Sequence, residues 1–158
     1  MPIFAPPSPG QVVQAVTSII TAGSTGTTVI PEDDTIPQIT EGDEYITRAI
    51  TPKSTTNRLY ITGIIAVTAS NTNSAVAAIF QDSTANALAA NECYVPVAGA
   101  TNVLTVFHEM AAGTTSSTTF RLRVGPAVAG TITINGFGGA RKFGGVSRSS
   151  LTVIEVVA

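Results

Sequence analysis

The chain alternates short apolar runs with polar turns and nowhere sustains a helical period. Residues 118–125 (T-T-F-R-L-R-V-G) are the clearest case. Phe120, Leu122 and Val124 fall on one face, and Thr119, Arg121 and Arg123 on the other. Successive side chains point to opposite sides of a strand, so this spacing predicts a half-buried strand. Residues 58–69 predict a longer one, with Leu59, Ile61, Ile65 and Val67 as core candidates. Residues 11–20, rich in β-branched side chains, predict another, as do 45–50, 75–81, 102–110, 131–135 and 150–157. Only residues 85–91 (A-N-A-L-A-A-N) have helical composition, and that stretch is too short to anchor a layer. Many short strands with turn signals between them predict an all-β sandwich, jelly roll or barrel.

Charge is the first feature to change that picture. Charged residues make up 11% of the 158, against 44% hydrophobic and a mean hydropathy of +0.33. About 25% charged is usual for a soluble domain. No run approaches the roughly 20 apolar residues of a spanning helix. The deficit is therefore expected to be hidden by association, with much of the surface covered in an oligomer. The formal charge of −2 gives no strong field toward nucleic acid or an anionic membrane, so neither is expected as a partner. The lone Cys93 cannot form an internal disulfide, and no signal peptide is visible, so synthesis in a cytoplasm is expected.

The first 31 residues carry no Asp, Glu, Lys, Arg or His, and four of the first ten are proline. Proline fixes φ and removes donors, which predicts an extended arm over residues 1–28 that lies on a neighbour. Its candidate contact residues are Ile3, Phe4, Pro6, Pro7, Val12 and Val13. Residues 32–44 hold six of the ten acids, among them Glu32, Asp33 and Asp34. Punctuated by Pro37 and Gly42, they predict a loop. Arg141, Lys142 and Arg148 form the one basic group. Three charges are too few for a nucleic-acid interface. Opposite sign suggests instead that Arg141 and Lys142 pair with Glu32, Asp33 and Asp34, within one chain or between chains.

Enzymatic chemistry finds little material. His108 is the only histidine, so no multi-histidine metal site is possible. It precedes Glu109 in a predicted strand, which puts the two on opposite faces. Cys93 has no neighbouring signal for a depressed pKa. The Gly-rich stretch 135–145 lacks the third glycine of a dinucleotide fingerprint and the Gly-Lys-Ser/Thr of a phosphate loop. It reads as tight turns and close chain approach. The acidic loop lacks the spaced carboxylates of a calcium loop. No catalytic residue, cofactor or metal is expected.

An ordered series of short motifs adds a resemblance. V-I-P-E-D-D-T-I-P-Q (29–38), A-I-F-Q-D (78–82) and N-A-L-A (86–89) come first. F-R-L-R-V-G-P (120–126), A-R-K-F-G-G-V (140–146) and S-L-T-V-I-E (150–155) follow. From about Val29 onward the chain resembles a domain found at the tips of phage tail fibres and in other virion appendages. The resemblance implies a C1q/TNF-like jelly-roll sandwich over residues 29–158, a tight homotrimer, and a place on the virion surface. No fibre shaft precedes the domain, which favours a capsid decoration (cement) trimer whose arms grip the major capsid protein or other virion proteins. The alternative is a tail-fibre tip or head fibre that recognises a bacterial surface glycan.

Overall fold

The computed structural model describes residues 8–158, and β-branched and aromatic alternation becomes strand almost wherever it occurs. One sheet is built on the long strand β4 (Arg58–Ala69). Strand β12 (Ser149–Val156) pairs along one side of it, and β1 (Val12–Ile20) pairs with β12 beyond. Strand β7 (Asn102–Ala111) pairs along the other side. The last residues of β4 also pair with β9 (Ile132–Ile134), which carries β2 (Ser24–Gly26). The second sheet has the order β3 (Asp43–Ile50), β8 (Thr118–Pro126), β5 (Asn73–Gln81), β6 (Ala89–Val95). All pairings are antiparallel, and the long strands cross between the two sheets as the chain proceeds. This is the jelly-roll sandwich expected from the sequence.

Between the sheets lies one core. Leu59, Ile61, Ile65 and Val67 of β4 face Phe120, Leu122 and Val124 of β8, all buried as the alternation predicted. Gly63 lets the layers close: a Cβ there would come within 2.9 Å of the Leu122 methyls. A short hairpin, β10 (Gly136–Phe137) with β11 (Ala140–Arg141), closes one end of the sandwich. A single 3-10 turn (Phe143–Gly145) follows it. The glycine-rich stretch therefore makes turns and close approaches. A Cβ on Gly136 would collide with the Ala140 carbonyl oxygen.

Two expectations are corrected. Residues 85–91, helical only in composition and assigned to no strand by the sequence, run into strand β6 from Ala89. Ala89 to Val95 pair residue by residue with β5, because a ladder beside a finished sheet outweighs the weak helical preference of alanine. Nor does the folded unit begin at residue 29. Strand β1, with Val12 and Val13, is paired along its length with β12, and Gly10 donates its N–H to the Val157 carbonyl (2.9 Å). Arm residues Ile3, Phe4, Pro6 and Pro7 lie outside the described residues.

Candidate assembly face

The two sheets differ in what covers their outer sides. On the second sheet, β5 is apolar on both faces: Ala75, Ala77 and Ile79 point into the core, while Val76, Ala78 and Phe80 point out. A strand apolar on both faces must be covered on both. The acidic loop supplies that cover. Ile30, fully buried, packs with Val76, Ala78, Phe80 and Ala127, and Ile39 and Ala87 rim the cluster. Main-chain bonds staple the loop down, from Ile30 N–H to Pro126 O (3.0 Å), Ile39 N–H to Ala85 O (2.7 Å) and Ala87 N–H to Pro37 O (2.9 Å). Arg123 donates to the carbonyls of Glu41 (2.8 Å) and Gly42 (2.7 Å).

Two of the six acids in this loop, Asp33 and Glu41, serve its own turns, and Asp43 and Glu44 tie it to neighbouring segments. Asp33 accepts from the Thr35 hydroxyl and N–H, bonds that hold its carboxyl below the usual range. Glu41 accepts from Gln38 N–H (2.9 Å), and Asp43 from the hydroxyl and N–H of Thr28 (2.9 and 3.0 Å). Glu44 pairs with Arg121 (3.0 Å) and, more distantly, Arg123 (3.7 Å). Among the described residues no cluster of His, Cys, Asp or Glu could hold a metal ion. Glu32 and Asp33 do line a shallow groove of about 290 Å³ with Val76 and Glu92.

The structure does not bring Arg141 and Lys142 to that loop. Gly23 and Gly145 are the close neighbours of Arg141, while Lys142 donates to Thr101 Oγ1 (3.0 Å) and sits 5.9 Å from the centre of the Phe137 ring. The pairing expected from opposite sign is therefore absent within the described chain, because the two clusters belong to different sheets. His108 and Glu109 point to opposite sides of β7: His108 lies opposite Ile61 of the core-facing row, and burial lowers its pKa. Burial likewise raises the thiol pKa of Cys93, which leaves it a poor nucleophile.

Among the described residues, nothing forms such a lid on the outer side of the first sheet. Register places Thr17, Thr152, Thr62 and Phe107 in one row across β1, β12, β4 and β7. The next rows are Ala15, Ile154, Tyr60 and Glu109, and Ile19, Ser150, Ile64 and Thr105. Phe107 is 53% exposed, Val103 66% and Ile64 42%. The Tyr60 and Phe107 rings stack at 6.3 Å. Among the described residues, Arg58 and Glu109 are the charged side chains on this face, and they pair with each other at 2.7 Å. A four-stranded face of threonine, alanine and bare apolar side chains, with one self-neutralised ion pair, is suited to another protein surface. Sequence reasoning anticipated a hidden surface but did not locate it. The signal was present in β4, where Tyr60, Ile64 and Ala66 alternate with the core residues.

At the end of the sandwich away from Val12 and Val156, Thr25, Ser70, Thr131, Thr133, Phe137 and Gly138 line a cavity of about 320 Å³. Its polar lining is hydroxyl rather than charged.

Comparison with curated protein sequences gives no match. Solved structures with a similar outline include Eiger TNF from S. frugiperda, at 12% identity over 90% of this chain and 93% of that one, TM-score 0.43. The enzymatically active domain of bacteriophage CBA120 tailspike protein 4 shares 19% identity over 77% of this chain and 18% of that one, TM-score 0.33. The VP2 subviral particle of infectious bursal disease virus shares 12% over 93% and 39%, TM-score 0.38. Residues 20–158, which take in the sandwich from the end of β1 onward, match the family model of the Pgp3 C-terminal domain, and the chain belongs to that family.

Proposed function

We propose that the protein is a non-enzymatic structural module that assembles as a homotrimer through the outer face of β1, β12, β4 and β7. The observation that carries this reading is the contrast between the two sheets. One outer face is sealed by the protein's own loop, and the other is neutral, partly apolar and uncovered by any of the described residues. Membership of the Pgp3 C-terminal domain family, a TNF-like trimer, supports three copies. The role we favour is a capsid decoration trimer on a phage particle, gripped by the segment before β1. The motif series shared with virion appendage domains supports it, as does the proline-rich, charge-free N-terminal stretch. Extended segments of that kind bind by lying along a neighbour's sheet edge.

The test uses capsids stripped of the protein, the full chain, and a version lacking residues 1–9, with solution mass recorded for each. Trimers of both, with only the full chain binding and stabilising capsids, is the expected result. Failure of the full chain to bind capsids overturns the decoration role, and a monomeric mass overturns the assembly. The second reading, a receptor-binding tip for a bacterial glycan, is favoured by one feature. The hydroxyl-lined cavity beside Phe137 offers hydrogen-bonding groups next to an aromatic ring, as sugar sites do. Binding of the purified protein to bacterial cells, with no binding to capsids, selects that reading.

A further inference from the structure

At the end of the sandwich away from Val12 and Val156, beside Ser70 and Thr131, lie two segments, residues 96–101 and 136–148. They hold three cations, Arg141, Lys142 and Arg148, and no Asp or Glu. The same segments expose apolar side chains: Phe143 at 73%, Val146 at 69% and Val97 at 61%. The parts form one cap. Lys142 bridges from Phe137 to Thr101, and a Cβ on Gly99 would touch the Phe137 ring at 3.2 Å. Gly145 lies against the Arg141 side chain, and Val146 N–H bonds back to Phe143 O (3.2 Å). Phe143 is held out at φ +51°, a conformation unfavourable for an aromatic residue, between the left-handed glycines Gly139 and Gly144.

We propose that this cap is a contact surface for an anionic lipid bilayer, with Phe143 and Val146 entering the headgroup boundary and Arg141, Lys142 and Arg148 meeting the headgroups. No carboxylate pairs with these three cations among the described residues. Charge complementarity therefore calls for an anionic partner outside the chain. The shape points to a fluid one: the apolar side chains stand singly on glycine-rich turns and do not line a concavity, so a rigid protein would need a matching recess for each. Basic residues beside protruding aromatic and aliphatic side chains are the composition of an interfacial anchor. Each cation near an anionic bilayer raises partitioning roughly fivefold. The cap lies some 35 Å along β4 from the end where β1 starts, at about 3.3 Å per residue. A particle that holds the segment before β1 thus turns the cap outward. This departs from the expectation drawn from net charge, which averages the acids of the 32–44 loop with cations at another place.

The experiment is co-sedimentation of the full chain with vesicles of phosphatidylcholine alone and of phosphatidylcholine with phosphatidylglycerol in equal parts. Two variants accompany it, Phe143→Ser/Val146→Ser and Arg141→Glu/Lys142→Glu, with the solution mass and melting temperature of each. All four positions are turn or surface residues outside the core, so folding is expected to hold. Binding is expected to the anionic vesicles only, falling at high salt. Both variants are expected to bind more weakly, by at least about 25-fold for the charge reversal, with unchanged mass. No binding to anionic vesicles overturns the inference, as does wild-type binding by the serine variant. A changed assembly mass in the charge-reversal variant also overturns it, since these cations would then face a neighbour's acidic loop. Because vesicle binding and mass are read separately, a monomer that binds vesicles would sink the assembly reading and leave this one standing.

Discussion

Replacing Phe107 by Asp tests the assembly face where it is most exposed. In the isolated chain the ring is 53% exposed and touches Tyr60 at a centroid distance of 6.3 Å. Its loss within one subunit therefore costs little, about the 0.5–1.5 kcal/mol of an aromatic pair. In the assembly the balance is different. A phenylalanine offers roughly 200 Å², so about half of that, ~100 Å², remains to be covered by a neighbour. At ~25 cal/mol per Å² this is about 2.5 kcal/mol per subunit, or roughly 7.5 kcal/mol for three. The introduced carboxylate adds several more, because it would be desolvated without a partner. The expected outcome is a protein that melts close to the wild type as a monomer but no longer assembles at micromolar concentration. Light scattering after gel filtration reads the mass, and circular dichroism reads the melt. Tyr94→Asp is the control: Tyr94 is also exposed, but it lies on β6 of the other sheet. If Phe107→Asp keeps the wild-type mass, or if Tyr94→Asp is the one that dissociates, the face has been misassigned.

Glu155 is buried and accepts from Gln14 Nε2 (2.6 Å), Asn57 Nδ2 (2.7 Å) and the N–H groups of Lys53 (2.7 Å) and Ser54 (3.4 Å). Burial pushes its pKa up, but these four bonds outweigh that and hold it below the ordinary value. A depressed carboxyl pKa stabilises the fold above the unfolded-state value and loses that contribution as pH falls through the folded one. The melting temperature is therefore expected to fall with acidification below about pH 4.3, and Glu155→Gln to flatten that slope while costing about 2 kcal/mol at neutral pH. Asn135 sits at φ +56°, buried, donating to Ile20 O (3.0 Å) and accepting from Ser149 Oγ (2.8 Å). Asn135→Ala is expected to cost about 2–3 kcal/mol in denaturant titration, and loss of under ~0.5 kcal/mol would contradict its role as the joint of β9, β12 and the β1–β2 turn. Cys93 is expected to react with a thiol reagent far more slowly in the native protein than in denaturant, because burial raises its pKa.

Alternation along the chain made the strands legible, since period two survives whatever the topology. Leu59, Ile61, Phe120 and Leu122 could be assigned to the core before any pairing was known. What could not be read was which strands share a sheet, and both charge clusters turn on that. Glu44 meets Arg121 and Arg123 only because register sets Glu44 opposite Arg123 on the neighbouring strand, a relation between residues 79 apart. Opposite sign alone pointed to Arg141 and Lys142. The lid on the second sheet follows from the same gap. Residues 75–80 announce a strand covered on both sides, but not that Ile30 and Ile39 are the cover. Strand β6, begun within the helical-composition stretch 85–91, was missed for a different reason. Alanine and asparagine carry weak preferences, and the free edge of β5 decided the outcome.

Strand β1 shows how a correction to the fold alters the functional test. None of its nine residues is fully buried, and it lies within the charge-free stretch 1–28 that was expected to be an arm. Yet Val16 and Ile20 pack against the core, Gln14 holds Glu155, and Ser18 Oγ bonds to Thr47 O (2.7 Å) across the open side of the sandwich. Two partly buried aliphatic side chains are worth about 1 kcal/mol each, and the charge-assisted bond about 1.5–3. Losing the ladder to β12 adds to this, and the sum is several kcal/mol out of the 5–15 typical of a domain. Removal of residues 1–28 is therefore expected to lower the melting temperature sharply, so it cannot separate anchoring from folding. Removal of residues 1–9 keeps Gly10 and its bond to Val157 and is expected to leave the melt unchanged. If the longer truncation melts like the full chain, β1 contributes nothing to the sandwich, and residues 12–20 are free to serve as part of the arm after all.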